Sequence, residues 1–90
     1  MDIKVANRTC TGDNGLYHTF HYFLTVETIQ CGHFFCENYG VRICEEAGET
    51  AEVPSITTSA LRIDELITLL VEHQVGPASL ADVVSDWLSI

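Results

Sequence analysis

Cys31, His33, Cys36 and Cys44, with His18 and His21 upstream, are the residues of this chain whose types could do chemistry. Thiolate and imidazole are zinc ligands, and structural zinc sites usually draw them from C-x2-4-C knuckles that close a tetrahedron. Here the successive gaps hold one, two and seven residues. If residues 33 to 45 form one strand, Cys36 and Cys44 lie about 26 Å apart at ~3.3 Å per residue, too far to share an ion. The spacing predicts unbonded thiols, with no metal and no cofactor; Cys31, His33, Cys36 and Cys44 are the only metal candidates. His33 and Cys36 make no nucleophile pair, because strand residues three apart point to opposite faces. Gly12-Asp13-Asn14-Gly15 resembles a phosphate or calcium turn, but it lacks the further acids and the bidentate glutamate of a calcium loop. It predicts a hairpin turn. There is no glycine-rich phosphate loop, no paired catalytic carboxylates and no Ser-x-x-Lys signature, so no catalytic residue is predicted and no enzymatic activity is expected.

Charge narrows the partners. Thirteen acids against four bases give a net charge of −9. Nucleic-acid binding needs a basic footprint that displaces counterions from phosphate, so direct nucleic-acid contact is not expected, nor is contact with an anionic membrane. The apolar run around Leu66 to Val71 is too short to cross a bilayer. Met1-Asp2-Ile3-Lys4 leads into alternating residues, not a leader. A cytoplasmic setting with reduced cysteines follows as the expectation. The acidity favours a basic protein partner. The leading expectation is a non-enzymatic protein-interaction or regulatory module, with Phe23, Leu69, Glu45, Glu46 and Glu49 as its partner surface. A homodimer through the sheet face carrying Phe23 is a further expectation. The alternative is an acidic inhibitor of phage or anti-defence type that mimics nucleic-acid charge, which needs Glu45, Glu46, Glu49 and Glu52, or Asp64, Glu65 and Glu72, gathered on one face. A weaker alternative is a zinc-binding or redox-sensing domain built on the cysteines.

The elements that must position these residues follow from periodicity. Ninety residues make one domain, divided here into a β-meander over 1–56 and a helical hairpin over 57–90. Residues 2 to 9 alternate weakly, with Ile3, Val5 and Asn7 on one side, and Cys10 to Gly15 turns. Residues 16 to 29 carry the aromatic and β-branched composition of a strand, with Phe20, Tyr22, Leu24 and Val26 on one face. A two-residue turn at Cys31-Gly32 returns the chain through residues 33 to 45. That turn pairs Tyr22 with Val41, Phe20 with Ile43, Phe23 with Gly40 and His21 with Arg42. Closing the first turn pairs Thr9 with Leu16, Val5 with Phe20 and Ile3 with Tyr22. Glu45 to Thr50 turns again, and Ala51 to Ile56 forms an edge strand, where Pro54 is tolerated.

Ile63, Leu66, Ile67 and Leu70 then recur at helical spacing, and Leu80, Val83, Val84 and Trp87 repeat the pattern after a Gly76-Pro77 break. Thr57, Thr58 and Ser59 offer capping hydroxyls, His73 ends the first helix, and Pro77 starts the second. Leu61 and Leu69 fall off the stripe. Trp87 reads as core. The predicted fold is α+β: a three- to four-stranded antiparallel meander with a C-terminal two-helix hairpin packed on one face.

Tyr39-Gly40-Val41, the run Ile63 to Leu70, and Pro77 to Leu88 together resemble a small uncharacterised domain family of Firmicutes. Its members end in a Pro-x-x-Leu-x-Asp-Val-Val-x-Asp-aromatic-Leu helix, and the likeness covers residues 17 to 88. Gly76 stands where that pattern has a serine. The resemblance implies a cytoplasmic bacterial protein and carries no activity or functional residue with it.

Overall fold

The computed structural model describes residues 1–12 and 15–89. The predicted turn at Asp13-Asn14 lies outside the described residues. Aromatic and β-branched alternation does build two long strands, β2 (Tyr17–Cys31) and its antiparallel neighbour β3 (Phe34–Glu45). β1 (Asp2–Thr11) flanks β2 and β4 (Thr50–Thr57) flanks β3, so the sheet runs β1-β2-β3-β4. The chain then folds as α1 (Ala60–Glu72), one 3-10 turn over Pro77–Ser79, and α2 (Leu80–Leu88). This is the expected α+β architecture of an antiparallel meander followed by two helices.

One sheet face and both helical stripes make the core. Tyr22, Val41 and Ile43 from the sheet, and Leu66, Leu70 and Leu80 from the helices, are all 0% exposed. Ile63, Ile67, Val75 and Val84 complete the cluster. Burying an aliphatic side chain of this size contributes roughly 1.5–3 kcal/mol. Ser59 caps α1, its side chain accepting from the Arg62 N–H at 3.2 Å. His73 closes the helix through its backbone N–H, which donates to the Leu69 carbonyl at 3.0 Å. The Tyr22 hydroxyl donates to the Val75 carbonyl at 2.9 Å and ties the centre of the sheet to the interhelical connection. A Cβ on Gly76 would meet Phe20 Cζ at 3.0 Å, so the Phe20 ring would have to give way to any larger residue there.

Two register expectations are corrected. Between β2 and β3 the turn is Gly32-His33, flanked by the pair Cys31–Phe34, not Cys31-Gly32. Gly32 has φ +63, and among the described residues His33 is not one of positive φ. Glycine therefore holds the first of the two turn positions, the arrangement of a type II′ hairpin. Moving the turn by one residue shifts every pairing by two. Tyr22 faces Ile43, Phe20 faces Glu45, Phe23 faces Arg42, and His21 faces Cys44. A two-residue shift preserves the faces, so the apolar set stays on the core side.

The second correction is in β1, where a bulge at Val5 separates Lys4 from Ala6 in the ladder. Ile3 pairs with Leu24, Ala6 with Tyr22, and Thr9 with Thr19. The extra residue switches the inward set from odd to even positions. Asn7 thus lies opposite His21 on the outer face, not beside Ile3.

Candidate interaction surface

The bulge leaves Ile3 and Val5 at the edge of the apolar face, and α1 crosses that face without sealing it. Between the β1 edge and the first turns of α1 lies a cleft of about 380 Å³. Ile3, Val5, Leu24 and Val26 from the sheet and Ile63 and Ile67 from α1 line it, and Glu37 and Asp64 also contribute. Ile3 and Val5 are each 43% exposed. A second concavity of about 370 Å³ extends past Val5 and Ala6 to Val71, with Asp64 and Glu72 among its lining residues. β1 is an edge strand, with one side of its backbone unpaired by the sheet. The arrangement offers an apolar floor, carboxylates beside it, and a free strand edge.

A second exposed feature is the far end of the β2–β3 hairpin. Pairing of β1 to β2 starts at Asp2–Thr25, and pairing of β3 to β4 reaches only Tyr39–Thr57. Residues 27 to 38 therefore continue as a two-stranded ribbon. The molecule is correspondingly long, 54 × 27 × 17 Å. Phe34 and Phe35 at the ribbon tip are 76% and 71% exposed. Consecutive strand residues face opposite sides, so one of the pair meets each side of the ribbon.

The sequence-predicted residues fall in several places. Phe23 is half-buried on the outer sheet face, with the Arg42 guanidinium 4.4 Å above its ring centroid. Arg42 also meets Asp2 at 2.5 Å. Leu69 is half-buried and lines a shallow concavity with Val83, Asp86 and Trp87. Trp87 itself is covered by Arg62, 4.5 Å from its ring. Glu45 is half-buried, and its Oε1 is hydrogen-bonded to His18 Nδ1 at 2.5 Å. Glu46 and Glu49 are exposed in the β3–β4 turn. Phe23 on the outer sheet face and Glu45, opposite Phe20 on the core face, do not share a face.

Nor do the metal candidates converge. Cys44 faces His21 across β2 and β3, and Cys10 faces His18 across β1 and β2. Cys31 and Cys36 lie on the ribbon, and His33 is in its turn. All four cysteines are free thiols. Among the described residues no three His, Cys, Asp or Glu side chains gather as a cation site. The Cys36 thiol is pushed above its ordinary pKa by its side-chain hydrogen bond to Cys31, then by the charge of the Cys31 thiolate, then by burial.

Sequence reasoning missed the cleft and the aromatic tip. The signal for the tip was present: two adjacent phenylalanines beside a turn cannot both face one core. The cleft depends on the bulge at Val5, which a weakly alternating strand does not announce.

No helix among the described residues is long and apolar enough to cross a membrane. The model of the Family of unknown function (DUF6514) matches residues 1–90, and the chain belongs to that family. No curated protein and no solved structure matches it.

Proposed function

Since the family brings no assigned activity with it, we propose that the chain is a non-enzymatic interaction module whose cleft beside β1 takes an extended segment of a partner protein carrying alternating apolar and basic residues. The carrying observation is the pairing of an apolar floor, Ile3, Val5, Leu24 and Ile67, with the carboxylates of Glu37 and Asp64 beside a free strand edge. Strand addition supplies main-chain hydrogen bonds, and alternate side chains fill the pockets. The net charge of −9 adds long-range attraction for a basic partner. A cytoplasmic bacterial setting fits this reading. The charge-mimic alternative is weaker, because the acids divide between the β3–β4 turn and α1 instead of lining a single groove.

The test is titration of the full chain with a short labelled peptide alternating valine and lysine, and with its valine–glutamate counterpart. The lysine peptide is expected to bind saturably and to shift the methyl resonances of Ile3, Val5 and Leu24, weakening as salt rises. Asp64→Lys with Glu37→Lys should abolish that binding, while Glu46→Lys with Glu49→Lys at the other end of the fold should not. Equal binding of both peptides, or loss of binding only in the second variant, overturns the proposal.

A further inference from the structure

The thiols of the ribbon form a pair that the cleft does not use. Cys31 is paired with Phe34, and Cys36, two residues further along β3, faces Ile29. Cys31 and Cys36 are therefore diagonal neighbours on the outer face. Diagonal positions in a flat ladder are about 7–8 Å apart, just beyond the ~6.8 Å limit for a disulfide between Cα atoms. A ribbon without flanking strands twists more strongly than a wide sheet, and twist shortens one diagonal at the expense of the other. Cys31 raises the pKa of the Cys36 thiol, which accords with the two side chains approaching each other across this diagonal. Cys31 is exposed and Cys36 half-buried.

We propose that Cys31 and Cys36 are a redox-modification site, closing reversibly into a disulfide across the ribbon when a small disulfide oxidant such as glutathione disulfide is in excess. Cys31 attacks first. It is the more accessible sulfur, and Cys36 is the one held protonated. The Cys31 thiolate displaces one glutathione thiolate and leaves a mixed disulfide. Cys36 loses its proton to solvent and attacks the Cys31 sulfur, and the second glutathione thiolate departs. Two protein thiols give up two electrons and two protons, and one glutathione disulfide becomes two glutathione thiols. The bond closes a very short loop, so it constrains the unfolded chain little and stays easy to reduce. Its local effect is to fix the base of the tip that carries Phe34 and Phe35. This inference does not rest on the cleft.

The experiment equilibrates the full chain in graded mixtures of glutathione and glutathione disulfide, traps free thiols by alkylation, and reads intact mass and cross-linked peptides. The expected product is two hydrogens lighter than the reduced chain, with Cys31 joined to Cys36, and it forms equally in a variant carrying Cys10→Ser and Cys44→Ser. Cys36→Ser should instead accumulate a glutathione adduct at Cys31, and Cys31→Ser should form no internal cross-link. A stable adduct at Cys31 of the unmutated chain with no internal cross-link overturns the proposal, as does a cross-link that includes Cys10 or Cys44. Asp64→Lys on α1, which alters the cleft without touching the ribbon, should leave the cross-link unchanged.

Discussion

Tyr22 shows how one polar atom can organise a small core. Its ring is 0% exposed and its hydroxyl reaches the Val75 carbonyl, fifty-three residues away in sequence. Removing the hydroxyl by Tyr22→Phe leaves that buried carbonyl unpaired, which costs about 1–3 kcal/mol and should lower the urea midpoint with the slope unchanged. Burial pushes the phenol from 10.0 to about 12, with a smaller upward push from Cys10 and a downward one from Arg8. The folded pKa is the raised one, so the neutral phenol favours the fold. Its contribution is complete below pH 10 and is lost as pH rises toward 12. The loss is on the order of 2–3 kcal/mol across that interval. Other groups titrate there too, so the readout is the difference between the chain and Tyr22→Phe. That difference should shrink steadily from pH 10 to pH 12. A gap that stays constant would mean that the phenol ionises in the folded state as it does in the unfolded one.

At the scale of elements, the helices were the most legible part. The stripe Ile63, Leu66, Ile67 and Leu70 is buried as its spacing requires, because a 3.6-residue period marks one face whatever the partner. Whereas the bulge at Val5 hid the faces of β1, those of β2 and β3 were equally legible, because a period of two survives the two-residue register shift that the Gly32-His33 turn imposes. The pairings were not, since they hang on one glycine's place in the turn. Gly40 faces Thr25 rather than Phe23 for the same reason, and what it accommodates is β4. A Cβ there would lie 2.5 Å from the Val53 carbonyl oxygen, 2.6 Å from Thr25 Oγ1 and 2.7 Å from Pro54 Cα. Two of those three atoms are backbone, so rotating a side chain cannot make room. Gly40→Ala should cost about 3 kcal/mol by overpacking and lower the melting temperature by ~12 °C or more in a chain of this size. A smaller, purely local loss is expected for Ser59→Ala, which removes the α1 cap at about 1 kcal/mol. Calorimetry of the two variants side by side checks both figures, and an equal fall in the two would show that β4 can retreat from Gly40.

At the scale of the whole molecule, the buried core and the exposed aromatic tip occupy different ends of one sheet. The fully buried residues Tyr22, Val41 and Ile43 lie where four strands and both helices meet, whereas residues 27 to 38 have no third strand beside them among the described residues. The sequence pattern makes this division hard to see, because β2 and β3 keep their alternation past the point where the core ends. Phe34, Phe35 and Ile29 are apolar by type yet exposed in the fold. Exposed aromatics gathered at one protrusion are costly for solubility and common where one protein meets another. If the ribbon serves contact and not folding, it can be removed. Replacing Ile29 to Cys36 with Asn-Gly joins Thr28 to Glu37, which are already paired, through a two-residue turn that matches the twist of a hairpin. The shortened chain should unfold cooperatively with a midpoint within about 5 °C of the full chain, a change of roughly 1 kcal/mol. It should still bind the valine–lysine peptide, whose cleft lies against β1 and α1, and it should no longer form any internal disulfide. A much larger fall in the midpoint would place the ribbon within the folding unit and make Phe34 and Phe35 structural residues.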